Sequence, residues 1–538
     1  MRIVKLLQLI PYRFFYLLGL CVMAAGMPFS NLMMSQGQFI IAGTWLLSGI
    51  AHNDIPTKLK AYFTNKQALA LAAVYFALLI GMLHTANLNY GLKDLRIKLP
   101  LFLLPFMLTG LGILKEKEYR IVIIVFIAAL IASSITGFVL YQTGAETLAE
   151  PRKLSPFISN VRFSLLIVVG VFMAGWLANS YKKRNVALAA VLAIIWLLYF
   201  MLRLESVTGF ALLFISAIVA ALMYNNRMGK ILRVAVPIVL LVFAIASVWF
   251  VKNEYAAFFS AKPENTSSTS INGNAYGDAN EFPFYENGSY MGADISRKEL
   301  EQEWPKRSAI AINGLDAKKQ PIYFTLLRYI TSKHLSKDSL GIAKLNDADI
   351  KNIESGIASV IYVADEGLNS RLHKIFWEYQ LYKTYNNPSG HSLSMRLEFW
   401  EAALSIIKKQ PLTGVGTGDV GDAFTSHYIE TNSRLNEGWR LRAHNQFLAI
   451  GVALGIIGII ILLFSILYPF IASHGYESVV FTAFFITAFL SMFTEDTLET
   501  QAGVSFYIFF YCLFLFLKPI STQPMTNELL GQAKKPTR

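Results

Sequence analysis

Apolar residues run along this chain in blocks too long for the core of a soluble domain. About twelve such stretches stand out, near 14–29, 34–50, 68–85, 99–114, 120–140, 163–180, 186–202, 206–224, 232–251, 445–469, 478–494 and 502–518. Runs of about 18 or more apolar residues are expected to cross a membrane as helices. The polar loops between them alternate in charge. Lys58, Lys60 and Lys66 share one side with Lys115, Lys117 and Arg120. Lys182, Lys183 and Arg184 fall there too, as do Arg227, Lys230 and Arg233 and the tail residues Lys534, Lys535 and Arg538. Lysine and arginine gather in cytoplasmic loops, so both termini are expected in the cytoplasm after an even number of crossings. Arg2, Lys5 and Arg13 precede the first run without an A-x-A-like cleavage site, which predicts an uncleaved first span.

The departures from this charge rule are informative. Loop 86–98 carries Lys93, Arg96 and Lys98, loop 141–162 carries Arg152, Lys153 and Arg162, and the 203–205 turn carries Arg203. All are expected on the outer side, where cations oppose the insertion rule. Two readings stand: a rim of snorkelling, solvated side chains, or an anion site at the outer membrane boundary.

One hydrophilic stretch, 252–441, is long enough to hold a domain of its own between spans nine and ten. Its opening, 263–292, is rich in Asn, Ser, Gly and Thr and reads as a flexible linker. Beyond it, Tyr323, Leu326, Leu327 and Ile330 have helical spacing, as do Ile350, Ile353, Ile357 and Val360. A helix capped by Ser394 and running to Lys409 presents Phe399, Trp400, Ala403, Leu404 and Ile407 on one face, suited to the bilayer surface or to packing on the rest of the segment. The expected organisation is all-α and polytopic. Spans one to nine fill 1–251, an outer segment with a linker and a helical cap fills 252–441, spans ten to twelve fill 442–520, and a cytoplasmic tail closes the chain at 521–538.

Composition agrees: of 538 residues 54% are hydrophobic and 15% charged, against about 25% charged in soluble domains. The net charge of +13 would suit nucleic acid, but its concentration in membrane loops argues against that partner. The two cysteines, Cys21 and Cys512, both sit in apolar runs, leaving no disulfide framework or thiolate metal site.

Candidate chemistry centres on Arg434 to Ile461. An approach bearing Arg440 and Arg442 ends at His444 and Asn445, and an apolar run follows. An imidazole at the lip of a membrane helix is either an interfacial hydrogen-bonding group or a reactive one. Gly416, Gly418 and Gly421 fit a dinucleotide-binding G-x-G-x-x-G, but they follow a helix and Pro411 rather than a strand, so a tight turn is expected. Gly451, Gly455 and Gly458 suggest a close helix-packing surface. No His or Cys spacing indicates a metal, no G-x-S-x-G elbow indicates a serine hydrolase, and the first outer loop, 29–35, lacks the acidic pair with which many membrane glycosyltransferases hold a cation. No metal or cofactor is therefore expected. Glu495, Asp496 and Glu499 near the outer face can orient an acceptor or pair with outer arginines. Arg162, Arg203 and His444 share that face. Guanidinium forks that grip phosphate oxygens, with an imidazole that accepts a proton, suit a lipid diphosphate attacked by a hydroxyl.

These residues resemble the bacterial O-antigen ligases and the related Wzy-type polysaccharide polymerases and protein O-oligosaccharyltransferases. That family carries His-[Asn/Ser/Gln], nine residues, then Gly-x-x-Gly, read here as His444-Asn445 and Gly455 to Gly458. Its Arg-x-x-x-Leu is matched by Arg162 to Leu166, and its Arg- and Trp-bearing helix before Pro-Leu-x-Gly-x-Gly by Arg396, Trp400 and Pro411 to Gly416. The resemblance implies a GT-C-like glycosyltransferase in the bacterial inner membrane, with its active site facing the periplasm and no metal or nucleotide. It implies an undecaprenyl-diphosphate-linked glycan as donor and a sugar hydroxyl of lipid A–core as acceptor, with membrane lipids around it and no nucleic acid. By position, His444 would activate the acceptor and Arg162 would grip the diphosphate. Arg203 would assist, although Leu202 stands where relatives often carry Ser. Arg440, Arg442, Asn445, Glu495 and Asp496 would serve the acceptor or support the site. Polymerase and protein-glycosylating activities remain alternatives, as does a lipid-glycan transporter, which would need polar groups deep in its spans.

Overall fold

The computed structural model describes residues 7–519 apart from 144–153, 182, 225–229, 264 and 365–366. Arg2, Lys5, Arg152, Lys153, Lys182, Arg227, Lys534, Lys535 and Arg538 therefore lie outside the described residues. Each of the apolar stretches falls on a helix. Among the described residues, six helices are long and apolar enough to cross a membrane: Lys66–His84, Glu116–Gln142, Asn160–Ser180, Arg184–Arg203, Arg233–Phe258 and Gln446–Ala472. Tyr12–Gly26, Val207–Met223, Val479–Ser491 and Gln501–Leu515 are shorter apolar helices. The one sheet among the described residues is a two-stranded hairpin. This is an all-α membrane protein.

The chain forms two compact units, one of residues 1–237, 399–433 and 440–538, the other of residues 238–398 and 434–439. In the second unit, Leu326, Leu327 and Ile330 on the Ile322–Ser332 helix are buried with Trp304, Ile353 and Trp377. The stretch expected as a linker folds into this core. Phe284 and Met291 are fully buried, Tyr285–Glu286 pairs with Ser289–Tyr290, and Asn265 and Thr266 bond to Asp294. Polar composition misled here because two inward aromatic or thioether side chains anchor a segment whose other side chains satisfy backbone turns. The Asp347–Glu354 helix buries Ile350 and Ile353 but stops short of Ile357 and Val360, at a left-handed Gly356.

In the first unit the 27-residue apolar helix Gln446–Ala472 is broken at Gly455, whose φ of 65° and ψ of −160° are not helical. The break is filled by the loop before it. Ile456 N donates to Pro411 O at 2.8 Å, Val415 N to Val452 O at 2.9 Å, and Gly416 N to Ala453 O at 3.0 Å. A side chain at Gly455 would meet the Leu412 carbonyl at 2.4 Å, so the glycine seats a loop rather than a second helix, which corrects the packing-surface reading there. Gly451 does contact a helix, through Ile407. The loop continues as the G-x-G-x-x-G, and it is a turn. Thr417 Oγ1 donates to Leu78 O at 2.6 Å, and Asp419 accepts from Ala86 N at 2.9 Å and Asn87 N at 2.7 Å. A Cβ at Gly418 would sit 2.2 Å from Asn87 O.

Two further elements differ from expectation. The helix expected to begin after Ser394 spans Ser392–Lys409, and Ser394 lies within it. Its buried face is Phe399, Ala402, Ala403, Ile406 and Ile407, while Leu404 is exposed. Loop 86–98 contains an 11-residue helix, Leu88–Lys98, capped by Asn87 Oδ1 on Tyr90 N at 3.1 Å. Its buried stripe is Gly91, Asp94, Leu95 and Lys98, whereas Leu88 and Leu92 are exposed. Charge lies on both faces: Lys93 and Arg96 are exposed, and Asp94 and Lys98 are buried as a pair.

Candidate active site

The site assembles in the first unit from three pieces of backbone. The first is the approach Arg442–Asn445. Its end is fixed by Asn445, whose Oδ1 caps the following helix by accepting from Leu448 N at 3.0 Å while its Nδ2 donates to Phe493 O at 2.9 Å. Such a cap contributes about 1 kcal/mol, so Asn445 is a structural residue that also sets the position of its neighbour. His444 adopts a left-handed conformation, φ 46°. This turns the imidazole out of the helix direction, toward Phe399, whose ring centroid lies 5.8 Å away. Trp400 Nε1 holds the Ala443 carbonyl at 3.0 Å.

The second piece is the turn after Val479–Ser491, carrying Glu495, Asp496 and Glu499. Asp496 Oδ1 lies 3.5 Å from His444 Nδ1, and its other oxygen 3.9 Å from Arg442. One ligating atom each from His444, Glu495 and Asp496 falls within 4.8 Å of the others. That donor set has the chemistry for a divalent cation, but the Arg442 guanidinium is already directed at Asp496. A carboxylate beside Nδ1 favours the tautomer that leaves Nε2 free to accept a proton.

The third piece is Asn160–Ser180, begun by Ser159, whose Oγ accepts from Arg162 N at 3.4 Å. Arg162 lies in the first turn and lines a pocket with Glu495 and Thr497 at its polar end and Met27, Leu165, Leu166 and Phe506 along its apolar wall. Arg-x-x-x-Leu thus has a geometric meaning: at i and i+4 the guanidinium and Leu166 face the same cavity. Among the described residues no carboxylate pairs with Arg162. Arg203 ends the Arg184–Arg203 helix, where a cation suits the helix dipole, and is not among the residues lining the Arg162 pocket. Arg440 is half-buried on the approach.

Sequence reasoning missed the partners of Arg442. Its Nη1 lies 3.1 Å from Glu499 Oε2 and 3.2 Å from the Tyr90 hydroxyl. The same Glu499 oxygen accepts from Lys98 Nζ at 2.8 Å, and Lys98 also contacts Asp94 at 2.6 Å. Burial alone would raise Glu499, but Lys98 and Arg442 outweigh it and hold the carboxyl down at about 2. Asp94 shares the same lysine and goes the other way, raised to about 6 chiefly by burial and also by the Glu499 charge. Two buried carboxylates on one ammonium thus separate into an ionised and a readily protonated group. The signal available in sequence was the i, i+4 spacing of Asp94 and Lys98.

Residues 356–463, which contain His444, Asn445 and the Gly455 break, match the family model described as O-antigen ligase. The chain carries an O-antigen ligase family domain. No curated protein matches it. Members of the O-antigen ligase family are ligases and polymerases of glycosyltransferase type, and their substrates are lipid-linked glycans. The family match covers the approach, the break and the loop seated in it, whereas Arg162 and the Asp496 turn lie outside the matched segment.

Proposed function

We propose that this protein is an O-antigen ligase-like glycosyltransferase of the bacterial inner membrane, with both termini cytoplasmic and its site facing the periplasm. It moves a glycan from undecaprenyl diphosphate to a sugar hydroxyl of lipid A–core. The observation that carries this reading is the His444–Asp496 pair next to a turn whose Glu495 lines the Arg162 pocket. His444 Nε2 removes the acceptor hydroxyl proton as the oxygen attacks the anomeric carbon. The carbon–oxygen bond to the diphosphate breaks, and its electron pair leaves with the lipid diphosphate. Arg162, with Arg203, neutralises charge growing on that leaving group. Asp496 steadies the imidazolium that forms. Glu495 and Arg440 remain the side chains for the acceptor. No step calls for a metal or nucleotide.

Polymerases and protein O-oligosaccharyltransferases share this donor chemistry and differ in acceptor. A strain lacking the protein distinguishes them. Loss of a ligase leaves finished glycan on its lipid carrier and lipid A–core bare in lipopolysaccharide gels. Single repeat units capping lipid A–core would instead identify a polymerase, and shifted glycoprotein masses with normal lipopolysaccharide a protein-glycosylating enzyme.

A further inference from the structure

Lys98 is 346 positions before His444 in the chain, on a helix that contributes nothing to the Arg162 pocket, yet its side chain is 3% exposed and belongs to the network behind the imidazole. Glu499 sits at the hub. Its Oε2 accepts from both Lys98 Nζ, at 2.8 Å, and Arg442 Nη1, at 3.1 Å. Its Oε1 accepts from Gln446 Nε2 at 3.1 Å. Gln446 is itself fixed, since its Oε1 accepts from Leu498 N at 2.6 Å and its backbone N–H donates to Met492 O at 2.8 Å. The hub therefore cannot drift, and Arg442 bridges from it to Asp496, the carboxylate beside His444.

We infer that Lys98 is a positioning residue for His444, acting through Glu499, Arg442 and Asp496. This inference rests on the base role given to His444 above. The physical argument is charge balance at one oxygen. With Lys98 present, Glu499 Oε2 is shared between two cations, and Arg442 is left extended far enough to face Asp496. Without Lys98, Glu499 draws Arg442 wholly to itself, because a buried carboxylate with one partner removed takes the nearest remaining charge. Asp496 then loses its counter-charge, and the His444–Asp496 geometry is no longer set. Glu495 also lies beside His444, its ligating atom within the same 4.8 Å cluster.

The test is kinetic, on the purified full-length protein in lipid or detergent, with lipid-linked glycan as donor. Lys98→Met is expected to lower kcat about tenfold to a hundredfold, the scale of a misplaced catalytic group, with donor KM unchanged. Lys98→Arg should recover most of that loss. In an Arg442→Gln background, Lys98→Met should cost nothing further, because its route to His444 has been cut. A rise in donor KM at constant kcat, or a full Lys98→Met loss persisting in the Arg442→Gln background, would overturn the inference. Should Lys98→Met not accumulate, Arg442→Lys reads the same linkage: one ammonium holds Glu499 but cannot also span to Asp496, so kcat falls at constant KM, and wild-type kcat would overturn it. If His444→Ala proves fully active, the base role has failed. If His444→Ala is inactive while the Lys98 and Arg442 variants behave as wild type, only this inference has failed.

Discussion

Two arginines near His444 show how differently one side chain can be used. Arg442, 32% exposed, is held by protein groups, with Glu499 and Tyr90 at one amino group and Asp496 at the other. Burial would lower its basicity, but Glu499, Tyr90 and Asp496 together raise it further. Its Nη1 holds the turn of Glu499 against the helix of Tyr90. Arg162, in contrast, faces a pocket with an apolar wall, and among the described residues no carboxylate pairs with it. A planar fork with five donors beside an apolar channel is suited to an anionic group carried on a lipid tail. Net positive charge along the chain would score the two residues alike. Their surroundings separate the arginine that positions from the arginine that can receive a ligand.

Breaking the reactive end of this arrangement should have the largest effect. His444→Ala is expected to lower transfer by about 10²–10⁴, the usual contribution of a general base, with membrane insertion retained. His444→Asn should be nearly as damaging, because an amide keeps hydrogen bonds but cannot take the proton. Full ligation by a well-inserted His444→Ala variant would sink the base role. Next in size is Arg162→Ala, for which about 10–100-fold is expected from loss of a charge-assisted bidentate contact. The deficit should appear in the response to donor concentration. Arg162→Lys should restore only part of it, since a point charge cannot reproduce the fork. Unchanged donor kinetics in Arg162→Ala would place that arginine with Arg442, among the structural ones.

The sequence made the helices legible because long apolar runs act locally, whereas the one cap read from it, Ser394, lies inside its helix. It also singled out His444 and Arg162 as candidates, each at the start of an apolar helix where a charged or titratable group is costly. What it hid was pairing across long separations. Lys98 looked like an outward cation of a loop, whereas it is buried on a helix against Glu499, 401 positions away. Helical periodicity could not reveal this, because charged and apolar side chains occur on both faces of Leu88–Lys98: Leu92, Lys93 and Arg96 are exposed, while Leu95 and the Asp94–Lys98 pair are buried. Gly455 was similarly read as a helix-packing residue. Only the loop from Pro411 to Gly416, seated in the break, explains it.

A smaller effect sharpens the contrast between the two buried carboxylates on Lys98. Asp94 is raised from 3.8 to about 6, so the stability it contributes is complete below its unfolded value and is lost as pH rises through about 6. Glu499 is lowered from 4.5 to about 2, so its contribution is present above about 4.5 and is lost as pH falls toward 2. The unfolding midpoint of the solubilised protein should therefore decline between pH 5 and 7. In Asp94→Asn that decline should be absent, while the acid-side loss below pH 4 remains. The difference is expected to be a few degrees. Parallel midpoint curves for Asp94→Asn and wild type across pH 5–7 would refute the assignment of the proton to Asp94.

The smallest expected effect is none at all, on chelation. His444, Glu495 and Asp496 come within 4.8 Å, so the turn could serve either as a cation site or as an orienting group for a base. The two uses compete for the same atoms. A cation on His444 would occupy a ring nitrogen needed for proton transfer or for the contact with Asp496, and its charge would face the Arg442 guanidinium 3.9 Å from Asp496. At comparable distance, two unscreened positive charges in a partly buried site repel strongly. The arginine bridge therefore favours the orienting role. Transfer by purified protein should be unchanged after treatment with EDTA and removal of the chelator. Loss of activity restored by Mg²⁺ or Mn²⁺ would reverse the assignment. His444 would then be a ligand, Glu495 and Asp496 would hold the metal with it, and the base would have to be sought elsewhere around the Arg162 pocket.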